Sequence, residues 1–249
     1  MGKQRISLTI DELLLNRVDR QIGKLANNRS NVIEALLRKG LMNQMPKSAV
    51  LLVGGGKESR MMEKFDDSTL IEYHVEALRR AGIKDVFVLG SDIDQMKTHL
   101  SSKGIHVRFI KDENEGSAGA LRKLKGIIDN TFLVLYGDVV TKADLVDMYQ
   151  FHMKENCLVT MGLTTSDKIS KFGVIEMKGT RVVNFSEKPK RSKSFLVSVG
   201  IFVMEPEIFD MIPEDKKISI EEAIVPPLVK SGQLSGYAFG GFWKDYGGE

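Results

Sequence analysis

The sequence predicts an α/β protein in two parts: a small β-α-α segment followed by a doubly wound domain with a mixed sheet. Three observations predict it. Residues 5–10, RISLTI, alternate strictly, with Ile6, Leu8 and Ile10 on one side and Arg5, Ser7 and Thr9 on the other, the period-2 pattern of a half-buried strand. Two stretches of helical spacing follow within residues 11–42. From residue 48 onward the texture changes to apolar strands alternating with amphipathic helices, the pattern of βαβ units.

In the first part, Leu14, Val18, Ile22 and Leu25 recur at helical spacing after Asp11 and Glu12, which suit a helix N-terminus. The turn NNRS follows, Ser30 is a good N-cap for a second helix, NVIEALLRKGLM, and Pro46 stops it. The boundaries are 1–45 for this segment and 48–249 for the large domain. One strand and two helices cannot hide their own apolar faces. A second copy pairing its strand would cure this, so a homodimer or higher even oligomer is expected.

The large domain opens with AVLLV, a continuous apolar run of the kind buried parallel strands show. Then come GGGKESR, the helical LIEYHVEALRRAGI, the strand DVFVLG, the helix DIDQMKTHL and the strand HVRFI. A second cycle holds EGSAGALRKLKGII, the strand TFLVLY, Gly-Asp and the helical KADLVDMYQFHM. VTMGL, FGVIEM, RVVNF and FLVSVGIFV read as an antiparallel addition. Ligands are expected at the carboxyl ends of the parallel strands.

Charge and composition narrow the class. Residues 1–45 carry eight basic and four acidic side chains against a whole-chain charge of +3, so all the excess positive charge lies there. That asymmetry suits an approach to a phosphate backbone, and it also suits a solvated helix face. No apolar run approaches the roughly 20 residues that span a bilayer, and MGKQRISLTID lacks the apolar run of a signal peptide, so no membrane partner is expected. The single cysteine, Cys157, excludes an internal disulfide, reads as a buried structural thiol, and fits a cytoplasmic protein.

The strand, helix, Ser-bearing turn and I-x-x-A-L helix of the first 45 residues resemble the ribbon-helix-helix family of repressors. The resemblance implies binding to double-stranded DNA. It makes Arg5, Ser7 and Thr9 readers of base edges, Ser30 and Asn31 backbone anchors, and Lys3 a further phosphate contact. A ribbon that dimerises and touches no DNA fits the same pattern.

In the large domain the ordered set VLLVGGGKESR, LIEYHVEALRRAGI, EGSAGAL, FLVLYGDV, FGVIE, FSEKP, GIFVMEPEIFD and GFWKDYG resembles the sugar-phosphate nucleotidyltransferases, over residues 48–249. These join a nucleoside triphosphate to a sugar 1-phosphate and release pyrophosphate. The resemblance implies a Rossmann-like fold. It implies nucleotide contacts at Gly54, Gly55, Gly56, Arg60, Gly116, Ser117, Ala118, Gly119 and Asp138, and sugar-side contacts at Glu187 and Lys188. Asp138 and Asp245 would hold Mg2+. The chain ends just after WKDYGG, where the family continues, which implies a missing C-terminal extension. The blander alternatives are a simple turn at Gly137-Asp138, a surface ion pair at Glu187-Lys188, a packing role for Trp243, and structural or exposed histidines at His74 and His152.

Two departures point away from turnover. Glu58 replaces a family glycine that faces the triphosphate. A carboxylate about 4 Å from a phosphate charge costs about 4 kcal/mol at an effective dielectric near 20. The family's Pro-Lys stretch after the arginine is absent, leaving Lys57 and Lys64 as substitutes. Ser198 stands where the family has the Asn of N-A-G. The expectation is therefore a DNA-binding transcription regulator whose transferase-like domain binds a nucleotide or sugar nucleotide with little or no catalysis. The alternatives are an active sugar-1-phosphate nucleotidyltransferase with a dimerising or DNA-binding N-terminal segment, and an assembly protein without a ligand.

Overall fold

The computed structural model describes residues 7–42, 45–54, 58–214 and 217–247. The chain divides into two compact units, residues 1–44 and 45–249.

The first unit holds α1 (Glu12–Asp19) and α2 (Arg29–Met42). Asp11 caps α1 by accepting from the amides of Leu13 and Leu14, at 2.9 and 3.2 Å. The helix stops at Asp19 rather than near Leu25, because Gln21 and Ile22 donate three residues back and Gly23 takes φ +83°. The cap of α2 is also corrected: the helix begins at Arg29, and Asn28, not Ser30, accepts the Asn31 amide at 2.9 Å. Residues 7–10 form no strand in a single chain, since a lone strand has no hydrogen-bonding partner. Leu8 is exposed there rather than half-buried. Lys3 and Arg5 lie outside the described residues.

In the second unit β1 (Ser48–Leu52) is central. A 3-10 turn (Glu58–Met62), the short hairpin β2 (Lys64–Phe65) and β3 (Ser68–Thr69), and α3 (Leu70–Arg80) follow it. Next come β4 (Asp85–Gly90), α4 (Asp94–Ser102), β5 (Arg108–Lys111), α5 (Gly116–Arg122), β6 (Phe132–Tyr136), β7 (Val139–Thr141), α6 (Leu145–Glu155) and β8 (Val159–Thr165). The chain continues with β9 (Gly173–Lys178), β10 (Arg181–Glu187), β11 (Leu196–Met204), α7 (Ile220–Ala223), α8 (Val225–Ser231), β12 (Leu234–Ala238) and β13 (Trp243–Asp245).

Among the described residues nine strands form one mixed sheet in the order β5-β4-β1-β6-β11-β8-β12-β10-β9. Its β5-β4-β1-β6 part is parallel, and β11 runs antiparallel to β6 and β8. The period of two sorts β1 and β4 onto two cores: Val50, Leu52, Phe87 and Leu89 face one way, Ala49, Leu51, Val86 and Val88 the other. From β1 the chain winds outward to β4 and β5 on one side and returns to β6 on the other. That reversal opens a crevice at the carboxyl ends of β1 and β6. Within EGSAGALRKLKGII the helix α5 ends at Arg122, where Leu124 and Lys125 donate three residues back and Gly126 takes φ +78°.

Helix α3 is anchored through Glu72, whose carboxylate accepts from the Thr69 amide at 2.8 Å and meets the Lys103 ammonium at 2.5 Å. Burial pushes the carboxyl up, but Lys103, Thr69 and His99 outweigh it and hold the pKa at about 2. A carboxyl lowered by folding stabilises the fold above its ordinary range and loses that contribution as pH falls through the folded pKa. Glu72→Gln is therefore expected to cost about 1–2 kcal/mol at pH 7, a figure that allows for the solvent-exposed Lys103. In urea titrations that gap should close between pH 4.5 and about 2. A gap that persists at pH 2 would refute the ionic anchor.

Candidate functional site

The crevice is a cleft of about 530 Å³ lined from segments far apart in sequence, within the range of small-molecule sites. The end of β1 supplies Leu52, Val53 and Gly54, the α5 start supplies Gly116 and Ser117, and the end of β6 supplies Tyr136 and Asp138. Glu187 and Lys188 come from the end of β10, Ser198 and Gly200 from β11, and Trp243 and Asp245 from β13.

Asp138 sits on a turn fixed from several directions. The Gly137 amide donates to Leu52 O at 2.8 Å, and its carbonyl lies 2.8 Å from His74 Nε2. A Cβ on Gly137 would stand 2.6 Å from the Met61 sulfur and 2.9 Å from Val53 Cγ1. Burial pushes the His74 pKa down to about 4, so the neutral ring donates Nε2–H to the Gly137 carbonyl. His74 is thus structural rather than exposed, as one of its two readings had it, and it stands directly behind the turn. His74→Leu should strand that carbonyl and lower stability by about 1–3 kcal/mol. His74→Gln, which keeps an N–H donor, should recover most of that loss. Equal melting temperatures for the two variants would remove the hydrogen bond from the explanation.

Asp245 reaches the same turn through β13, which pairs antiparallel with β7 so that Asp245 lies opposite Val139. The Tyr246 amide donates to the Asp138 carbonyl at 2.7 Å. The two aspartates are therefore neighbours across a two-strand ladder. Carboxylate oxygens are hard donors suited to Mg2+, which takes one or two of them and completes its shell with water and phosphate. Among the described residues no group of three or more His, Cys, Asp or Glu side chains stands ready to hold a metal. Among the described residues the cleft is lined by six carboxylates (Asp112, Asp138, Glu187, Glu221, Glu222 and Asp245) and three ammonium groups (Lys171, Lys188 and Lys217). Such a lining repels phosphates unless a cation joins them.

Several sequence expectations are corrected here. Only Gly116 and Ser117 of the GSAG loop line the cleft. Ala118 and Gly119 are buried beneath it, and both their amides point at the Ile218 carbonyl, at 3.1 and 3.2 Å. Arg60 is on the 3-10 turn but does not line the cleft, whereas its neighbour Met61 does. Lys64 stands exposed on β2 opposite Thr69, away from the cleft. Asn31, foreseen as a phosphate anchor, has its amide already engaged by Asn28. Gly55, Gly56 and Lys57 lie outside the described residues.

The pair Glu187–Lys188 is both an ion pair, at 3.5 Å, and part of the cleft wall. Lys188 holds φ +44°, a left-handed backbone that a non-glycine residue adopts at a cost. Trp243 packs edge-on to Phe172, with centroids 4.9 Å apart, so packing and cleft lining coincide. Cys157 is buried, as foreseen, and donates to Val159 O at 3.2 Å. It sits by the start of β8 with His152.

Sequence reasoning missed Asp112, Asn114, Tyr136, Lys171, Lys217 and Glu221. One local signal existed: Ser219-x-x-Glu222 is a capping-box pattern, which marks the turn that brings Glu221 to the wall. The lysines carry no local signature, because they converge only through the fold.

A family model described as Nucleotidyl transferase matches residues 56–248. A mannose-1-phosphate guanyltransferase of Aspergillus oryzae is 30% identical over 220 residues, covering 80% of this chain and 60% of that protein. The protein of the same name from Saccharomyces cerevisiae is 30% identical over 196 residues, covering 74% and 54%. The chain thus spans a little over half the length of these relatives. Among solved structures, the inositol-1-phosphate CTP transferase from T. maritima superposes with TM-score 0.66 at 16% identity, over 81% of this chain and 89% of that one. That likeness shows the fold. The expectation of a DNA-binding regulator with little or no catalysis is overturned by these relatives, which are named as transferases and align with most of the chain. Among the described residues no helix is long and apolar enough to cross a membrane.

Proposed function

The chain belongs to the nucleotidyl transferase family, and from that premise we propose that it is an active sugar-1-phosphate nucleotidyltransferase. An oxygen of the sugar phosphate attacks the α-phosphorus of a nucleoside triphosphate. The new O–P bond forms as the bond to the β-phosphate oxygen breaks, and pyrophosphate leaves with that electron pair. The observation that carries the reading is that one cleft gathers Gly54, Ser117, Asp138, Glu187, Lys188 and Asp245 from nearly the whole length of the second unit.

The reaction brings two anions together, so positive charge and fixed geometry dominate the rate. The absent Pro-Lys lysine is replaced in this reading by ammonium groups from elsewhere in the fold. Lys171 comes from the 3-10 turn at Ile169–Lys171, Lys188 from the end of β10, and Lys217 from the segment before α7. Asp138 and Asp245 would hold Mg2+, which when bound neutralises phosphate charge and aligns the leaving group. Ser117 faces the nucleotide, and Glu187 and Lys188 the sugar phosphate.

Mannose 1-phosphate with GTP is the first substrate pair to test, because the relatives carry that name. Coupled pyrophosphate release should exceed the no-enzyme rate by many orders of magnitude with one pair from a panel of sugar 1-phosphates and triphosphates. Absence of release across the panel with Mg2+ would end the reading.

The N-terminal unit is proposed to pair two copies in the ribbon-helix-helix manner. Leu13, Leu14 and Leu37 are exposed on its helices and Leu25 between them, and such faces favour burial against a second copy. Light scattering should find an even oligomer, and Leu13→Lys with Leu37→Lys should halve its mass. An intact chain that is monomeric at micromolar concentration would overturn the pairing.

A further inference from the structure

The floor of the cleft, between the nucleotide side and the sugar side, is built around one carboxylate. The Tyr136 hydroxyl donates to Glu221, with its oxygen 2.9 and 3.1 Å from the two carboxylate oxygens. The same hydroxyl lies 3.2 Å from Ser117 Oγ, which accepts the Ile220 amide at 2.9 Å. The Tyr136 ring is held in turn by Gly200, whose φ is +68° and where a Cβ would stand 2.8 Å from the ring. Three cleft-lining groups are thus tied to each other and to the turn that carries Glu221.

This network leaves acceptor capacity on Glu221. A carboxylate offers about four lone-pair sites. The Tyr136 hydroxyl reaches both of its oxygens, which leaves at least two sites for a ligand. A wall carboxylate with two open acceptor sites is the group that takes two adjacent hydroxyls of a carbohydrate. The ribose and the transferred sugar both carry such a pair. The sugar is favoured because Glu187 and Lys188, the sugar-side pair, line the same cleft as Glu221. Burial, with the Glu187 charge, also pushes the Glu221 carboxyl up, as expected for an acceptor held out of water.

We infer that Glu221, oriented by Tyr136 and Ser117, is a specificity residue that accepts hydrogen bonds from two neighbouring hydroxyls of the sugar moiety. The inference deepens the transferase reading and rests on it for the identity of the ligand.

The test is calorimetric titration of the full-length chain and of Glu221→Gln and Tyr136→Phe. The probes are GDP-mannose, UDP-glucose and dTDP-glucose, each beside its own diphosphate. Glu221→Gln should lose roughly tenfold or more in affinity for the sugar nucleotide that the wild type prefers, and less than twofold for the matching diphosphate. Tyr136→Phe should lose roughly threefold with the same selectivity. Thermal melts accompany both, because a folding defect would weaken diphosphate and sugar nucleotide alike. An equal loss on the diphosphate, or no loss on the sugar nucleotide, overturns the inference. If the wild type binds a sugar nucleotide with this Glu221 dependence but releases no pyrophosphate from any substrate pair, the transferase reading falls and the inference stands. If it turns over and Glu221→Gln leaves affinity and the KM for sugar phosphate unchanged, the inference falls alone. Binding of none of the probes overturns both.

Discussion

Asp138→Asn is expected to lower kcat by about a thousandfold, the scale on which a single group that stabilises transition-state charge acts. The substitution keeps size and hydrogen-bonding shape while removing one negative charge. The turn itself should survive, since Leu52, His74 and Tyr246 hold its main-chain atoms. What is lost is half of the aspartate pair that β7 and β13 bring together. Raising Mg2+ should recover only part of the rate, because one carboxylate anchors the ion more loosely. Asp112→Asn is the matched control. Asp112 also lines the cleft, and its Oδ1 accepts the Glu115 amide at 3.2 Å, away from the β7–β13 ladder. Its rate should change by less than about fivefold. Equal losses at Asp138 and Asp112 would show that any cleft carboxylate is as costly to remove, and the pair would have no special role.

The fold was legible because parallel β-strands announce themselves. AVLLV, DVFVLG and TFLVLY are continuous apolar runs, and each became a buried strand of the sheet. Asp138, Glu187, Lys188 and Asp245 were legible because they sit in short ordered motifs, and all four line the cleft. Glu221 and Lys217 were not, since their role depends on Ile218 docking against Gly116 about a hundred residues earlier in the chain. The expectation of little or no catalysis rested on Glu58 and on the missing Pro-Lys stretch, and it could not weigh Lys171 and Lys217, which line the cleft without a motif to announce them. The strand at residues 5–10 was read from alternation alone, and alternation cannot supply the neighbouring chain that a strand requires.

Gly116→Ala should destabilise the protein by about 3 kcal/mol and weaken sugar-nucleotide binding at the same time. Gly116 has φ +80°, a conformation that costs a residue with a Cβ about 1 kcal/mol. Its surroundings cost more. A Cβ there would stand 2.4 Å from the Ile218 oxygen and 2.7 Å from the carbonyl carbon. Ile218 cannot simply retreat, because its amide donates to Glu115 O at 2.8 Å and its carbonyl accepts from Ala118 and Gly119. Relieving the clash by a shift near 1 Å stretches these three bonds, each of which contributes about 0.5–1.5 kcal/mol net. The same shift separates Ser117 from the Ile220 amide and carries Glu221 away from Tyr136, so binding should fall with stability. Gly126→Ala isolates the backbone contribution. Gly126 has nearly the same φ, +78°, with nothing within 4 Å of an added Cβ. It should cost about 1 kcal/mol and leave binding untouched. Chemical denaturation and sugar-nucleotide titration of the two variants give the comparison. If Gly116→Ala is no more destabilising than Gly126→Ala, the clamp between the α5 start and Ile218 does not hold the cleft floor.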